Sequence, residues 1–308
     1  MTAQPATAFP LASGLKAPRR QETMLSLAWY HFKRHKLALL GLCVMILLIA
    51  GAIFVPAVTG YDPGRTNMLA MYLPPSTQHV MGTDGLGRDL FIRTMHGGRV
   101  SLAIGLLAML LAITMGTVVG SLAGYYGGTI DNVLMRLADL MLTMPTLFVA
   151  ILLTQLLRAG VIPFLQAGIM PIVLVVAVTS WMGVARLVRA CYLSLKEKEF
   201  VEAAHCCGAD NWRIIVRHIL PNAMSPIIVA ATLRVGAAII TEAGLSFLGM
   251  GVQPPTPTWG NMLRNAQSEM DYAPWTAIFP GLFIFLTVIS FNYIGDGLRD
   301  ALDPRHLD

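Results

Sequence analysis

The sequence predicts an all-α polytopic membrane protein with six transmembrane helices, and three features of its 308 residues carry that expectation. Mean hydropathy is +0.63. Hydrophobic residues make up 55% of the chain and charged residues 13%, far outside the range of a water-soluble domain. The apolar runs are about 20 residues long, enough for a helix to cross a bilayer and too long for the roughly ten-residue strands of a membrane barrel. One charged stretch, residues 186–226, breaks this pattern with Arg186, Arg189, Lys196, Glu197, Lys198, Glu199, Glu202, Asp210, Arg213 and Arg217. Each ionised group costs a few kcal/mol in hydrocarbon, so this stretch belongs in water.

In chain order, residues 1–28 are expected to form a disordered tail, since 1–23 are rich in Ala, Pro, Thr and Ser. Trp29–Lys36, WYHFKRHK, pairs interfacial aromatics with cations and reads as a membrane-surface lead-in. Leu37–Val58 is the first span; it is longer than the apolar core of a signal peptide and lacks a small-residue cleavage site. Residues 59–99 form a polar connection in which Pro74, Pro75 and the glycines forbid a continuous helix, with a short surface helix expected at Leu86–His96. The glycines of GTDGLG are not followed by Gly-Lys-Ser/Thr anywhere in the chain, which excludes a Walker-type ATPase site.

Ser101–Ala123 is the second span, with Gly105, Gly116 and Gly120 available for close helix contact. A turn at Tyr125–Gly128 leads to a third span near Val133–Leu156, where Arg136 and Asp139 form a possible i,i+3 pair at the membrane boundary. A short loop at Arg158–Pro163 precedes the fourth span, within Phe164–Val184, which is expected to bend at Pro171. The fifth span, Ile227–Phe247, is the least oily and contains Arg234 and Glu242. Residues 252–273 form a second proline-rich connection with an amphipathic piece at Asn261–Met270, and Trp275–Ile294 is the last span, followed by a polar tail. Tyr61, Tyr72 and Trp259 are candidate interfacial anchors.

Within the charged insert, Gly208 is expected to end one helix and Asp210 to cap a second that Pro221 stops. The second helix has an apolar edge (Ile214, Ile215, Ile219, Leu220) and a basic edge (Arg213, Arg217). Such a two-sided unit either seats against a partner or packs on its own bundle. His205, Cys206, Cys207 and His218 lack a CxxC pair, so no metal site is expected. No resident cofactor is expected either, and no basic tract sits beside stacking aromatics, so nucleic acid is not an expected partner.

Lys and Arg divide unevenly between the two sides. Fourteen fall on the side of the termini and the insert, against six (Arg65, Arg88, Arg93, Arg99, Arg158, Arg264) on the other. The positive-inside rule therefore places both termini and the insert in the cytoplasm. A six-span chain without a nucleotide site fits a permease that borrows ATP hydrolysis from a separate subunit. An ion-coupled carrier has thin support, because the intramembrane charge amounts to Arg234 and Glu242, with Asp139 near an edge. A scaffold without a transport path is the third reading.

Glu202, Ala203 and Ala204, then Gly208, then His218, Leu220 and Pro221 resemble the EAA loop in inner-membrane subunits of binding-protein-dependent ABC importers. His218 departs from the isoleucine of the family pattern. Gly82-Thr83-Asp84 with Gly87-Arg88-Asp89, the block Leu245–Glu269, and Phe291–Pro304 are similar to the second permease of the dipeptide/oligopeptide branch. The resemblance runs from Trp29 to Pro304.

It implies a type I ABC importer permease fold in the bacterial inner membrane, with no catalysis by this chain and with ATP and Mg used by partner ATPases. Implied partners are a second related permease, two cytoplasmic ATPase subunits, a soluble substrate-binding protein and the lipid bilayer. Glu202, Ala203, Ala204, Gly208, Leu220 and Pro221 would form the ATPase-coupling element. Arg88, Asp89 and Arg93 would either dock the binding protein or form a salt-bridged local fold. Arg234 would line the translocation path or pair with Glu242 or another helix. The implied cargo is a dipeptide or short oligopeptide, with glutathione, nickel or another small solute as alternatives.

Overall fold

A computed structural model of the protein describes residues 24–60, 62–160 and 168–302, with side chains from residue 29 onward. Of the disordered tail expected over 1–28, residues 1–23 lie outside the described residues, as do Tyr61, residues 161–167 (the end of the expected Arg158–Pro163 loop and the start of the expected fourth span) and the last residues from Asp303. Residues 24–28, in contrast, are helical, being the first turn of an amphipathic helix. The described chain is all helical apart from turns and one isolated bridge, Thr83 with Asp89. Four helices are long and apolar enough to cross a membrane, or up to six spans if each of two bent pairs counts as one.

A short amphipathic helix, α1 (Met24–Arg34), precedes α2 (Lys36–Thr59), which His35 caps by accepting the Ala38 N–H. On α1, Lys33 lies over the Trp29 ring and Arg34 over Tyr30. The centre of the bundle is α3 (Leu90–Tyr126), 37 residues without a break. The short surface helix expected at Leu86–His96 is thus the first turns of the second span. Asp89 starts it by accepting the Ile92 N–H, so the outer connection ends ten residues earlier than expected.

The segments expected as the third and fourth spans are each a bent pair of helices. Helices α4 (Gly128–Thr143) and α5 (Thr146–Arg158) meet at 96° around Pro145. Helices α6 (Met170–Val178) and α7 (Trp181–Leu195) meet at 46°. The second bend falls at Thr179-Ser180 rather than at Pro171, which occupies the first turn of α6, where a missing N–H costs nothing. The Arg136–Asp139 pair is not formed: Asp139 bonds Arg186 of α7, and Asp131 takes both Nε and Nη2 of Arg189. An i,i+3 pair on one helix face contributes only about 0.2–0.5 kcal/mol, so a guanidinium brought in from the neighbouring helix replaces it.

Close packing of α3 on α7 follows from a glycine row at every fourth residue. A Cβ on Gly116 would stand 2.5 Å from the Val184 Cβ, and one on Gly124 would stand 2.6 Å from the Tyr192 Cβ. Hydrocarbon supplies no hydrophobic drive between helices, so backbone approach of this kind is what holds them.

Pro221 does not stop the second helix of the insert. The chain runs from α9 (Asn211–Arg213) through a π-helical segment, Ile214–Ile219, into α10 (Leu220–Phe247). The Leu220 N–H reaches back five residues to the Ile215 carbonyl, and that wider turn absorbs the bond Pro221 cannot make. Helix α11 (Trp259–Ala266) starts with a Thr258/Asn261 capping box. Finally, α12 (Trp275–Leu302) continues eight residues past the expected end of the last span.

Candidate functional site

The charged insert folds as a two-helix unit at the end of the bundle where α3 finishes. Helix α8 (Glu199–Cys206) closes on a left-handed Gly208, φ +78°. The Gly208 N–H donates to His205 O and the Ala209 N–H to Ala204 O, the paired closure of a Schellman motif. Asp210 then caps the second helix at the Arg213 N–H, as the spacing predicts.

The unit packs on its own bundle along one face. Its apolar edge turns inward: Ile214, Ile215 and Ile219 join Val201 and Ala204 against Val184, Val188 and Tyr192 of α7. The Tyr192 hydroxyl donates to Ile215 O at 3.1 Å, and the Tyr125 hydroxyl at the end of α3 bonds Asn211 at 2.8 Å. The outer face stays open. Glu202, Ala203 and Gly208 are exposed, whereas Ala204 is buried, so the two alanines face opposite ways. Pro221 is exposed and Leu220 half-buried.

Between the two helices lies a groove of about 400 Å³, lined by Phe200, Ala203, Cys207, Arg213, Arg217 and His218. Trp212 beside it is 68% exposed. Sequence reasoning overlooked Trp212 and Phe200; the available signal was a large aromatic inside a stretch whose charge already demands water.

At the opposite end, residues 62–89 form a compact polar cap. Asp84 is its hub, accepting from the Leu86 and Arg88 N–H groups on one oxygen and from Arg88 Nε (2.7 Å) on the other, with Arg93 Nε at 3.5 Å. Arg93, 4% exposed, also donates to Pro63 O, and Asp89 bonds His79 Nδ1 at 2.8 Å while capping α3. Arg88, Asp89 and Arg93 thus have internal partners that fold the loop. Trp259 is not an interfacial anchor: it is 1% exposed and its indole N–H donates to Thr94 O, wedging α11 against α3. Tyr72 stacks edge-on with Tyr272, whose hydroxyl contact pushes the Tyr72 hydroxyl pKa up to about 12.

Glu269 closes the cap from the α11–α12 connection. Burial first, then the Asp84 charge, pushes its carboxyl above the ordinary glutamate value. The folded state therefore holds the proton more tightly than the unfolded chain, and this group's stabilisation, full at low pH, is lost as pH rises through the folded pKa. Thermal stability should accordingly fall as pH is raised from the acidic side toward neutral, and Glu269→Gln should flatten that slope. An unchanged slope in the variant would assign the effect elsewhere.

Arg234 and Glu242 do not pair. The Arg234 guanidinium lies against Gly183 at the start of α7. Glu242 is fully buried, accepting from Ser246 Oγ at 2.7 Å and facing Ser101 Oγ at 3.4 Å. Ser101 Oγ in turn accepts the backbone N–H of Trp259, so Glu242 ties α10 to α3 and α11. Among the described residues no group of His, Cys, Asp or Glu could hold a metal ion.

Residues 116–307 match the family model "Binding-protein-dependent transport system inner membrane component", and residues 23–75 match "N-terminal TM domain of oligopeptide transport permease C". The chain belongs to the binding-protein-dependent inner membrane component family. As such it is a permease subunit, a transmembrane component and not an enzyme, and it shares an all-α multi-pass membrane fold. It is 43% identical over 278 residues to the oligopeptide transport system permease protein OppC of Bacillus subtilis, covering 90% of this chain and 88% of that one. It is 44% identical to the dipeptide transport system permease protein DppC of Alkalihalophilus pseudofirmus (90% and 89%), and 43% to the glutathione transport system permease protein GsiD of Pectobacterium atrosepticum (90% and 90%). The inward-facing MetNI methionine ABC transporter shares the permease fold, with a TM-score of 0.56 and 18% identity over 67% of this chain and 94% of that one.

Proposed function

We propose that this permease forms one half of the transmembrane path of an ATP-driven importer that moves dipeptides or short oligopeptides into the cytoplasm. Its names-in-kind are the oligopeptide and dipeptide permeases that it matches over nine-tenths of its length. Each bent helix pair counts as one crossing, giving six spans with both termini and the 186–226 unit in the cytoplasm. There Glu202, Ala203, Ala204, Gly208, Leu220 and Pro221 belong to the element that engages a partner ATPase. On the far side, the cap built around Asp84, Arg88, Asp89 and Arg93 and the 252–273 connection receive a soluble substrate-binding protein. Arg234 remains the path candidate among the charged groups, since it rests on a glycine and not on a carboxylate.

The observation that carries this reading is the insert's double face. Its buried edge is locked to α7 and runs without a break into α10, while its open groove presents aromatic and basic groups to water. A rigid, two-sided unit transmits displacement that a floppy loop would absorb. Glutathione is the second cargo reading, favoured by the 43% identity to GsiD.

The test is reconstitution with the second permease, the ATPases and the receptor, scoring uptake of labelled dipeptide and of glutathione. Uptake should require ATP, and Cys206 and Cys207, both exposed, should react with an impermeant maleimide in inverted vesicles but not in sealed right-side-out ones. Uptake by this chain alone under an ion gradient would replace the importer with a carrier.

A further inference from the structure

At the cap end, the carbonyl-rich turn after α10 and the side of α11 enclose a polar pocket of about 50 Å³, lined by three arginines, Arg88, Arg93 and Arg264, together with Asn261 and Asn265. Among the described residues Asp84 is the one carboxylate ion-paired with these guanidiniums. Glu269 lies within electrostatic reach of Arg88, so three cations face two carboxylates. Both oxygens of Asp84 are occupied by Arg88 and Arg93 and by backbone N–H groups. Arg264 has no ion pair or hydrogen-bond acceptor among the described residues, so the pocket carries an excess of positive charge.

Its walls are fixed before anything binds. Arg158 donates from α5 to the carbonyls of Met250 and Gly251, and Gln253 Nε2 donates to Gly249 O at 3.2 Å and Gly251 O at 2.9 Å. Asn261 Nδ2 holds the other side through Thr256 O at 2.8 Å. Gly249, φ +82°, lets the Arg264 guanidinium lie flat on the turn, because a Cβ there would stand 3.0 Å from Arg264 Cζ. A water needs on the order of 10–15 Å³ of such space, so the pocket admits a group of three or four heavy atoms.

We propose that this pocket takes one carboxylate side chain, an aspartate or glutamate of the soluble receptor, when the receptor seats on the cap. The size excludes a lipid headgroup or a whole peptide, and the planar fork of Arg264 matches a carboxylate at two points. The proposal rests on the importer reading above and adds the chemistry of the docking contact to it.

The test uses the reconstituted complex with wild-type chain, Arg264→Glu, Arg264→Gln and Arg264→Lys. The readout is the receptor concentration that gives half-maximal ATPase stimulation at low and high salt, with the receptor-free ATPase rate as the measure of assembly. Arg264→Glu should raise that concentration roughly tenfold or more, and Arg264→Lys less. The wild-type value should rise with salt more steeply than that of Arg264→Gln. A single acid-to-lysine change on the receptor should recover the Arg264→Glu complex. Unchanged half-saturation in Arg264→Glu overturns the proposal. So does an effect confined to peptides with a free C-terminal carboxylate, which would assign the pocket to the cargo. If the wild-type complex shows no receptor stimulation at all, the importer reading itself fails.

Discussion

Gly208→Val should leave the permease inserted and assembled while cutting ATP-driven uptake by roughly tenfold or more, with loss of cargo-stimulated ATPase activity. Gly208 sits at φ +78° with open space around the position a Cβ would take, so the substitution meets no clash. Its effect is conformational. A left-handed backbone costs an ordinary L-residue about 1–2 kcal/mol and a β-branched one more. The cheapest relief is to abandon the His205 and Ala204 closures and re-aim α8 relative to the second helix, which changes the groove between them. Gly208→Asn is the control, since asparagine tolerates this region, and it should retain most of the uptake. Normal uptake in the valine variant would remove the coupling role from this turn.

Asp84→Ala should unfold the cap without disturbing the insert. The substitution strands Arg93, whose side chain is 5% exposed, and leaves the Leu86 and Arg88 N–H groups without their acceptor. Removing one partner from a buried ion pair typically costs about 3 kcal/mol or more. For a chain of this size that corresponds to a fall in thermal midpoint of roughly 5–10 °C. Limited proteolysis should show cleavage within 62–89 while the 199–213 segment keeps its wild-type pattern. Asp84→Asn keeps an acceptor in place and should fall between the two. A wild-type midpoint in Asp84→Ala would mean that the cap is held by Tyr72, Thr83 and Trp275 instead.

The apolar runs, the turn at Gly208 and the Asp210 cap were legible because each depends on local chemistry: hydrocarbon length, a left-handed glycine, a side-chain acceptor at a helix start. Errors arose where a distant partner overrides local preference. Pro221 reads as a stop, yet the π turn before it, held by buried Ile215 and Ile219, carries the helix through. Asp139 reads as a partner for its neighbour Arg136, but α7 brings Arg186 to it from 47 residues away. Trp259 reads as a membrane-surface aromatic because nothing in its own segment reveals that Thr94 and Phe283 will enclose it. The excess charge at Arg264 was equally invisible, since it depends on Asp84 being spent on two other arginines.

The uninterrupted helix from Asn211 to Phe247 has a mechanical corollary. Its 37 residues make a strut on the order of 55 Å long, longer than the roughly 40–45 Å thickness of a membrane with its headgroups. One tip carries the Gly208 turn and the other the Gly249 turn, so anything gripping either tip handles the same solid body. Equilibrium linkage then requires the preference to run both ways: a ligand at one tip that favours one tilt of the strut tightens a ligand at the other tip favouring that tilt, by an identical factor.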